Sequence, residues 1–154
     1  NFPVTGWSRR LKSLQGVRCL SGTDGLDAAL SEAQVLVLLL PLTKDTENLV
    51  NAAALARLAR GAAVLNPGRG ALIDDAALLG ALDSGPISQA TLDVSRAEPL
   101  PPGHAYWAHP QVTVTPHVAS ATRASTAAPV IAENIRRGEA GEPFLHLVDR
   151  TSGY

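Results

Sequence analysis

The architecture of this protein is indicated most directly by one stretch, AVLNPGRG at residues 63–70. Its first three residues are apolar, as in a short buried strand, and the Asn, Pro and Gly residues that follow are typical of a turn. Further apolar runs of this kind occur at residues 90–94 and 112–115. Because segments with helical spacing separate these strands, we predict a parallel sheet with helices on both faces, an α/β doubly wound fold.

Two more strands and four helices complete the predicted organisation. The strands are residues 4–7 and 35–40, and the second should be a central strand, apolar on both faces and stopped by Pro41. Apolar residues recur at helical spacing between the strands, and Asn51 and Asp74 are suitable helix caps. The predicted helices are residues 26–33, 51–61 and 74–84, with a fourth from about residue 120 that contains Pro129, which should start, break or kink it.

Composition excludes several classes of protein. The chain has 154 residues, 45% hydrophobic and 18% charged, which is typical of a globular domain. Its net charge of -1 provides no general attraction for nucleic acid or an anionic membrane, so we expect neither as a partner. Cys19 is the single cysteine, which excludes an internal disulfide and a multi-cysteine zinc site. His104 and His109 lack metal-ligand spacing, so no metal is expected. No apolar run is long enough for a membrane span and no signal peptide is visible, so we predict a cytoplasmic protein.

Three polar residues follow the predicted strands, where ligands bind in parallel sheets. Arg69 lies between two glycines, and its guanidinium could grip a carboxylate or keto oxygen; otherwise it is a solvated surface arginine. His117 is a candidate acid–base group, although a lone histidine is more often structural. Glu98 could pair with that imidazole, favour its charged form and fix its tautomer, or be a solvated loop carboxylate. Together these residues predict a site that binds a carboxylate and protonates an oxyanion.

A basic segment follows the first predicted strand and contains Ser8, Arg9, Arg10 and Lys12. In dinucleotide-binding folds the residue that ends the second strand meets the adenosine ribose, where an acid selects the free 2′-hydroxyl and an arginine accepts a 2′-phosphate. No acid is present in this segment, so it favours a 2′-phosphate. The alternative is a basic patch at the start of a helix.

Four motifs occur in an order and spacing that resemble those of the D-isomer-specific 2-hydroxyacid dehydrogenases over nearly the whole chain. They are NPGRG at residues 66–70, DAALLGALDSG at residues 75–85, LDVSRAEP at residues 92–99 and TPH at residues 115–117. Residues 6–9, 102–107 and 148–154 are most similar to the glyoxylate/hydroxypyruvate reductase A subgroup. Ser95 stands where the family commonly has an aromatic residue, a difference that should reshape the substrate pocket.

The resemblance implies an enzyme that reduces a small 2-oxo acid, of the glyoxylate or hydroxypyruvate type, by hydride transfer from NADPH, which we expect to be preferred over NADH. Arg69 would hold the carboxylate and keto oxygens of the substrate. His117 would protonate the developing alkoxide, and Glu98 would keep the imidazole charged and oriented. Asp93 would face the nicotinamide carboxamide. The implied cofactor-binding residues are Ser8, Arg9, Arg10, Lys12, Leu40, Pro41, Thr46, Asn66 and Asp93.

The resemblance also implies a domain organisation. Residues 1–119 would be a partial dinucleotide-binding domain, and residues 120–154 a C-terminal helix and irregular tail that returns towards a substrate domain. The family's glycine-rich phosphate loop and N-terminal substrate domain do not occur in these residues, so we expect them to be inactive when expressed alone. The full-length protein is expected to be a homodimer. Two alternatives stay open: a non-catalytic NAD(P)-sensing or corepressor-like relative, and an inactive truncated fragment.

Overall fold

The computed structural model describes residues 2–151 of the chain. The chain divides into two compact units, the first ending at His117 and the second beginning at Val118. The sequence prediction placed its boundary between residues 119 and 120. The elements of the first unit are β1 (Val4–Trp7), β2 (Val17–Leu20), α1 (Gly22–Glu32), β3 (Val35–Val37), α2 (Ala52–Leu55), β4 (Ala62–Asn66), α3 (Asp75–Ser84), β5 (Ile87–Leu92) and β6 (Val112–Val114).

The strands of the first unit are all parallel to their neighbours, which confirms the predicted α/β class. They form a four-stranded sheet in the order β3-β4-β5-β6 and a two-stranded sheet of β1 and β2. The three strands that precede the predicted site residues, β4, β5 and β6, are adjacent in the larger sheet. Because they run in one direction, their carboxyl ends open at one edge of that sheet.

Capping residues begin α2 and α3, and end α3, where the sequence predicts. The side chain of Asn51 accepts a hydrogen bond from the backbone N–H of Ala54 at 3.1 Å, and that of Asp74 accepts one from Ala77 at 3.0 Å. Gly85 ends α3 in the left-handed region, with a φ of 89° that side chains disfavour. The helix after Asn51 is shorter than predicted, because α2 ends at Leu55.

The prediction of a central strand over residues 35–40 is wrong. β3 ends at Val37 and lies at the edge of the four-stranded sheet. Val35 and Val37 are 55% and 45% exposed, whereas Leu38 is 5% exposed. An edge strand with one covered face buries only alternate residues, so an apolar run does not by itself identify a strand with both faces covered.

The strand β2 was missed, because its residues include a charged Arg18 and show no clear apolar alternation. The basic segment after β1 leads to this strand through bends and turns. The alternative interpretation, a basic patch at the start of a helix, is therefore wrong. The parallel pairing of β1 and β2 places Ser8 at the carboxyl end of β1, where its N–H donates to the carbonyl oxygen of Leu20 at 3.2 Å.

The core of the first unit packs the larger sheet against α2 and α3. Its most deeply buried side chains lie on β4 and β5, on these two helices and on the turn before α3. Burial of such large aliphatic side chains holds the strand ends in place. They are Leu55, Val64, Leu72, Ile73, Leu78, Leu82 and Ile87.

The second unit contains one helix, α4 (Ala124–Glu139), within the residues that the structure describes. It continues through Pro129, so the helix neither starts nor breaks there, and none of its described residues is buried. Glu133 pairs with Arg136 and Arg137 at 2.9 and 2.8 Å. Residues 140–151 have no regular structure, and the predicted tail continues to residues 152–154, which lie outside the described residues. None of the described helices has the length and apolar character that a membrane crossing requires.

Candidate functional site

The turn that carries Arg69 is shaped by the side chain of Asn66, the last residue of β4. Asn66 is 1% exposed. Its Nδ2 donates to the carbonyl oxygen of Arg69 at 2.9 Å, and its Oδ1 accepts from the N–H of Gly68 at 3.1 Å. The buried amide thus replaces backbone partners within the turn and leaves Arg69 exposed at the end of β4.

Close packing of the backbone explains the glycines on both sides of Arg69. A Cβ atom added to Gly70 would lie 2.0 Å from the carbonyl carbon of Ser95 and 2.3 Å from the nitrogen of Arg96. One added to Gly68 would lie 2.8 Å from the carbonyl oxygen of Leu38. All three distances are shorter than a Cβ atom permits, so only glycine fits at either position. The turn therefore lies directly against the segment that follows β5.

Asp93 joins the ends of the three adjacent strands. It is 5% exposed, and its N–H donates to the carbonyl oxygen of Asn66 on β4 at 3.0 Å. Its Oδ1 accepts from the hydroxyl of Thr115 at 2.5 Å, and its carbonyl oxygen accepts from the N–H of His117 at 2.9 Å. These bonds place the backbone of His117 beside the end of β5.

His117 and Glu98 are in direct contact, as the sequence predicts. Nδ1 of His117 lies 2.8 Å from Oε2 of Glu98, while Oε1 of Glu98 accepts from the N–H of Ser95 at 3.1 Å. An ionised carboxylate only accepts hydrogen bonds, so Nδ1 is the donor. Nε2 is then the ring nitrogen that can exchange a proton with a substrate. His117 has a φ of 54°, an uncommon conformation for a residue with a side chain.

The charge on Glu98 is stabilised by its neighbours. The hydrogen bond with His117 is the largest cause that lowers the pKa of this carboxyl below its ordinary value of 4.5, and the N–H of Ser95 adds to it. The positive charge of Arg69 lowers the pKa of Glu98 further, which places the guanidinium within electrostatic range of this pair. At neutral pH the site therefore combines a carboxylate, an imidazole that it orients, and a guanidinium.

The other predicted site residues lie on two loops. Leu40 and Pro41 follow β3 and are partly buried, and Oγ1 of Thr46 donates to the carbonyl oxygen of Pro41 at 2.7 Å. Oγ of Ser8 donates to the carbonyl oxygen of Arg10 at 2.7 Å. The remaining basic residues of that segment, Arg9, Arg10 and Lys12, are exposed after β1.

The structure thus brings some of the predicted site residues together and leaves others apart. Glu98 contacts His117, and Arg69 acts on Glu98 through its charge. The basic segment of residues 8–12 is apart from this site, in the connection between β1 and β2 of the two-stranded sheet. Cofactor binding by these loop residues stays a prediction.

The sequence did not predict the roles of two residues that support the site, Ser95 and Arg96. Ser95 was considered only for its missing aromatic ring, yet its backbone N–H holds Glu98. Arg96 was not considered. The signal that could have identified both is their position in the short loop between Asp93 and Glu98.

Two of the histidines outside the site, His104 and His109, each face a carboxylate. Nε2 of His104 lies 3.7 Å from Asp75, and Nε2 of His109 lies 3.3 Å from Asp83. Within residues 2–151 there is no group of three or more His, Cys, Asp or Glu side chains arranged to hold a metal ion.

Known proteins are similar to this chain in both sequence and fold. Residues 1–119 match the family described as D-isomer specific 2-hydroxyacid dehydrogenase, NAD binding domain. A D-isomer specific 2-hydroxyacid dehydrogenase from Xanthobacter autotrophicus, in complex with NADPH and MES, is 52% identical, with a TM-score of 0.95 over 99% of this chain and 63% of that chain. The NADPH-dependent glyoxylate/hydroxypyruvate reductase from Sinorhizobium meliloti, in complex with NADP and sulfate, is 41% identical, with a TM-score of 0.92 over 99% of this chain and 50% of that chain.

A third solved structure, a probable 2-hydroxyacid dehydrogenase from Rhizobium etli in complex with NADP, HEPES and L(+)-tartaric acid, is 32% identical, with a TM-score of 0.89. The match covers 99% of this chain and 50% of that chain. The present chain therefore spans between half and two thirds of the length of the solved relatives described here. Since the family match covers most of its residues and these relatives share its fold, the chain belongs to the D-isomer specific 2-hydroxyacid dehydrogenase family.

Proposed function

We propose that the protein reduces small 2-oxo acids of the glyoxylate and hydroxypyruvate type to 2-hydroxy acids, with NADPH as the preferred reductant. The observation that carries this proposal is the 2.8 Å contact between Nδ1 of His117 and Oε2 of Glu98 within electrostatic range of Arg69. An oriented proton donor, together with a guanidinium whose charge acts on the carboxylate partner of that donor, suits a substrate that has a carboxylate and gains a proton on oxygen.

Each of the three side chains has a distinct role in this reaction. Arg69 binds the carboxylate and keto oxygens of the substrate and stabilises negative charge on them. His117 donates the proton from Nε2 to the alkoxide oxygen. Glu98 holds Nδ1–H, fixes the tautomer and stabilises the imidazolium before the transfer. Bound NADPH supplies the hydride that the carbonyl carbon accepts.

The residues of this chain fit a phosphorylated dinucleotide. No acidic residue occurs between Ser8 and Leu20, so the segment that follows β1 carries no carboxylate that would repel a 2′-phosphate. Arg9, Arg10 and Lys12 provide positive charge there, and we assign the principal 2′-phosphate contact to Arg9. The buried Asp93 at the end of β5 would accept hydrogen bonds from the nicotinamide carboxamide.

The relatives support the same reductant and substrate class. The Sinorhizobium meliloti protein is an NADPH-dependent glyoxylate/hydroxypyruvate reductase, and the Xanthobacter autotrophicus protein was crystallised with NADPH. Identities of 41% and 52% over nearly the whole of this chain make a shared cofactor the simplest proposal.

The proposal is tested by steady-state assays of the full-length protein and of its His117→Gln variant, with NADPH and a panel of small 2-oxo acids. General acid catalysis contributes about 10²–10⁴-fold, so kcat should fall by that factor while NADPH binding is retained. His109→Gln is the matched control, because its ring also lies 3.3 Å from a carboxylate, that of Asp83, away from the site. Coenzyme binding without turnover in the unmodified protein would refute the proposal and favour a non-catalytic sensor.

A further inference from the structure

The loop that carries Glu98 is anchored by one long side chain. Residues 95–98 lie outside helices and strands, with bends at residues 96–98, and Oγ of Ser95 bonds only within the loop, to the carbonyl oxygen of Ala97 at 2.7 Å. Arg96, two residues before Glu98, reaches out of this loop. Its side chain is 38% exposed, so most of it is covered by neighbouring segments.

The guanidinium of Arg96 bonds to two segments that are distant in sequence. Nη2 donates to the carbonyl oxygen of Ile73 at 2.8 Å and to Oδ1 of Asn48 at 2.5 Å. Nη1 donates to Oε1 of Glu47 at 3.3 Å, and Nε lies 4.0 Å from Oδ2 of Asp75. Two carboxylates, an amide and a carbonyl therefore surround a single cation.

Those two segments are themselves joined by backbone hydrogen bonds. The N–H of Asn48 donates to the carbonyl oxygen of Ala71 at 2.8 Å, and that of Val50 donates to Leu72 at 3.0 Å. Asp75 is held in turn by the hydroxyl of Tyr106, whose oxygen lies 2.9 Å from Oδ1. The segment around Ala71 begins at Gly70 and thus continues directly from the Arg69 turn.

We propose that Arg96 is a positioning residue that locks the Glu98 loop against the Arg69 turn and so keeps Glu98 in contact with His117. This inference rests on the proposed function, because it concerns how the proton donor is oriented. A lysine cannot replace this arginine, because one ammonium group does not match partners spread around a planar fork. The tight approach of Gly70 to Ser95 brings the two segments together, and Arg96 holds them in register.

A double-mutant cycle in the full-length protein tests this role. Arg96→Ala should lower kcat with glyoxylate and NADPH about tenfold, since small misplacement of a catalytic group is costly, with little change in the KM for NADPH. If Arg96 acts through Glu98, its removal from a Glu98→Gln enzyme should change kcat by less than about twofold. Arg96→Lys should not restore kcat. Multiplicative losses in the double variant would overturn the inference.

Two further variants separate positioning from general stability. Arg57→Ala is the matched control, because Arg57 also pairs with a carboxylate, Asp27 at 3.1 Å, and with the carbonyl oxygen of Ala53 at 3.0 Å. It should lose stability without a change in kcat. Asn48→Gly removes one partner of Arg96 and keeps a φ of 50° accessible, so it should fold and lower kcat in the same direction as Arg96→Ala.

The outcomes also distinguish this inference from the proposed function. If Glu98→Gln retains full kcat, the proposed mechanism fails, and the inference fails with it. If Glu98→Gln loses activity but Arg96→Ala and Asn48→Gly retain it, the mechanism stands and only the role of Arg96 is overturned.

Discussion

Gly70→Ala should destabilise the protein, whereas Gly80→Ala, a chemically identical change, should stabilise it. A methyl group on Gly70 would lie 2.0 Å from the carbonyl carbon of Ser95, while one on Gly80 would meet nothing within 4 Å. Neither glycine requires a positive φ, so the contrast is one of space alone.

The size of the effect follows from the geometry at Gly70. Carbon atoms pack at about 3.5–4.0 Å, so the two segments would have to separate by roughly 1.5 Å. Overpacking of this kind costs about 1–3 kcal/mol of the free energy of unfolding. Because the displaced segment carries Glu98, kcat should also fall by up to about 10²-fold. Gly80 lies inside α3, where replacing glycine by alanine gains about 0.5–1 kcal/mol.

Urea denaturation of the full-length protein, followed by circular dichroism, measures both shifts. The midpoint for Gly70→Ala should fall and that for Gly80→Ala should rise, with unchanged slopes. An unchanged midpoint and an unchanged kcat for Gly70→Ala would show that the Arg69 turn and the Glu98 loop are not in close contact. The site described above would then be refuted.

Three further predictions concern the coenzyme, the carboxylate and a helix cap. Arg9→Ala should lower kcat/KM with NADPH about 10–100-fold and leave NADH kinetics nearly unchanged; equal losses would contradict the 2′-phosphate assignment. Because His117 lowers the pKa of Glu98, the native carboxylate contributes stability above about pH 4.5 that is lost as the pH falls through its folded-state pKa. The melting-temperature difference between wild type and Glu98→Gln should therefore shrink below that pH. Asn51→Ala should cost about 0.5–2 kcal/mol in urea denaturation, and retained stability would show that its 3.1 Å bond to Ala54 is not a cap.

Local signals in the sequence were sufficient for most of the secondary structure. The caps Asn51 and Asp74 and the stop at Gly85 were predicted because each acts on backbone groups within a few residues. Alternation of strands and helices was sufficient for parallel pairing, because a parallel connection needs a crossover. Parallel pairing in turn placed the residues after β4, β5 and β6 at one edge of the sheet.

The sequence alone did not predict contacts between segments that are distant along the chain. Nothing in residues 35–40 shows that Val35 and Val37 face outwards, because exposure depends on what covers the strand. The hydrogen bonds of Arg96 with Asn48 and Ile73 join residues that are 48 and 23 positions apart in the sequence, and no local pattern encodes such contacts. Residue types and strand order thus predicted which chemical groups come together at the site. The distances between these groups are determined by the packing of three separate loops. That packing depends on side chains that meet only in the folded chain, so the sequence alone did not predict it.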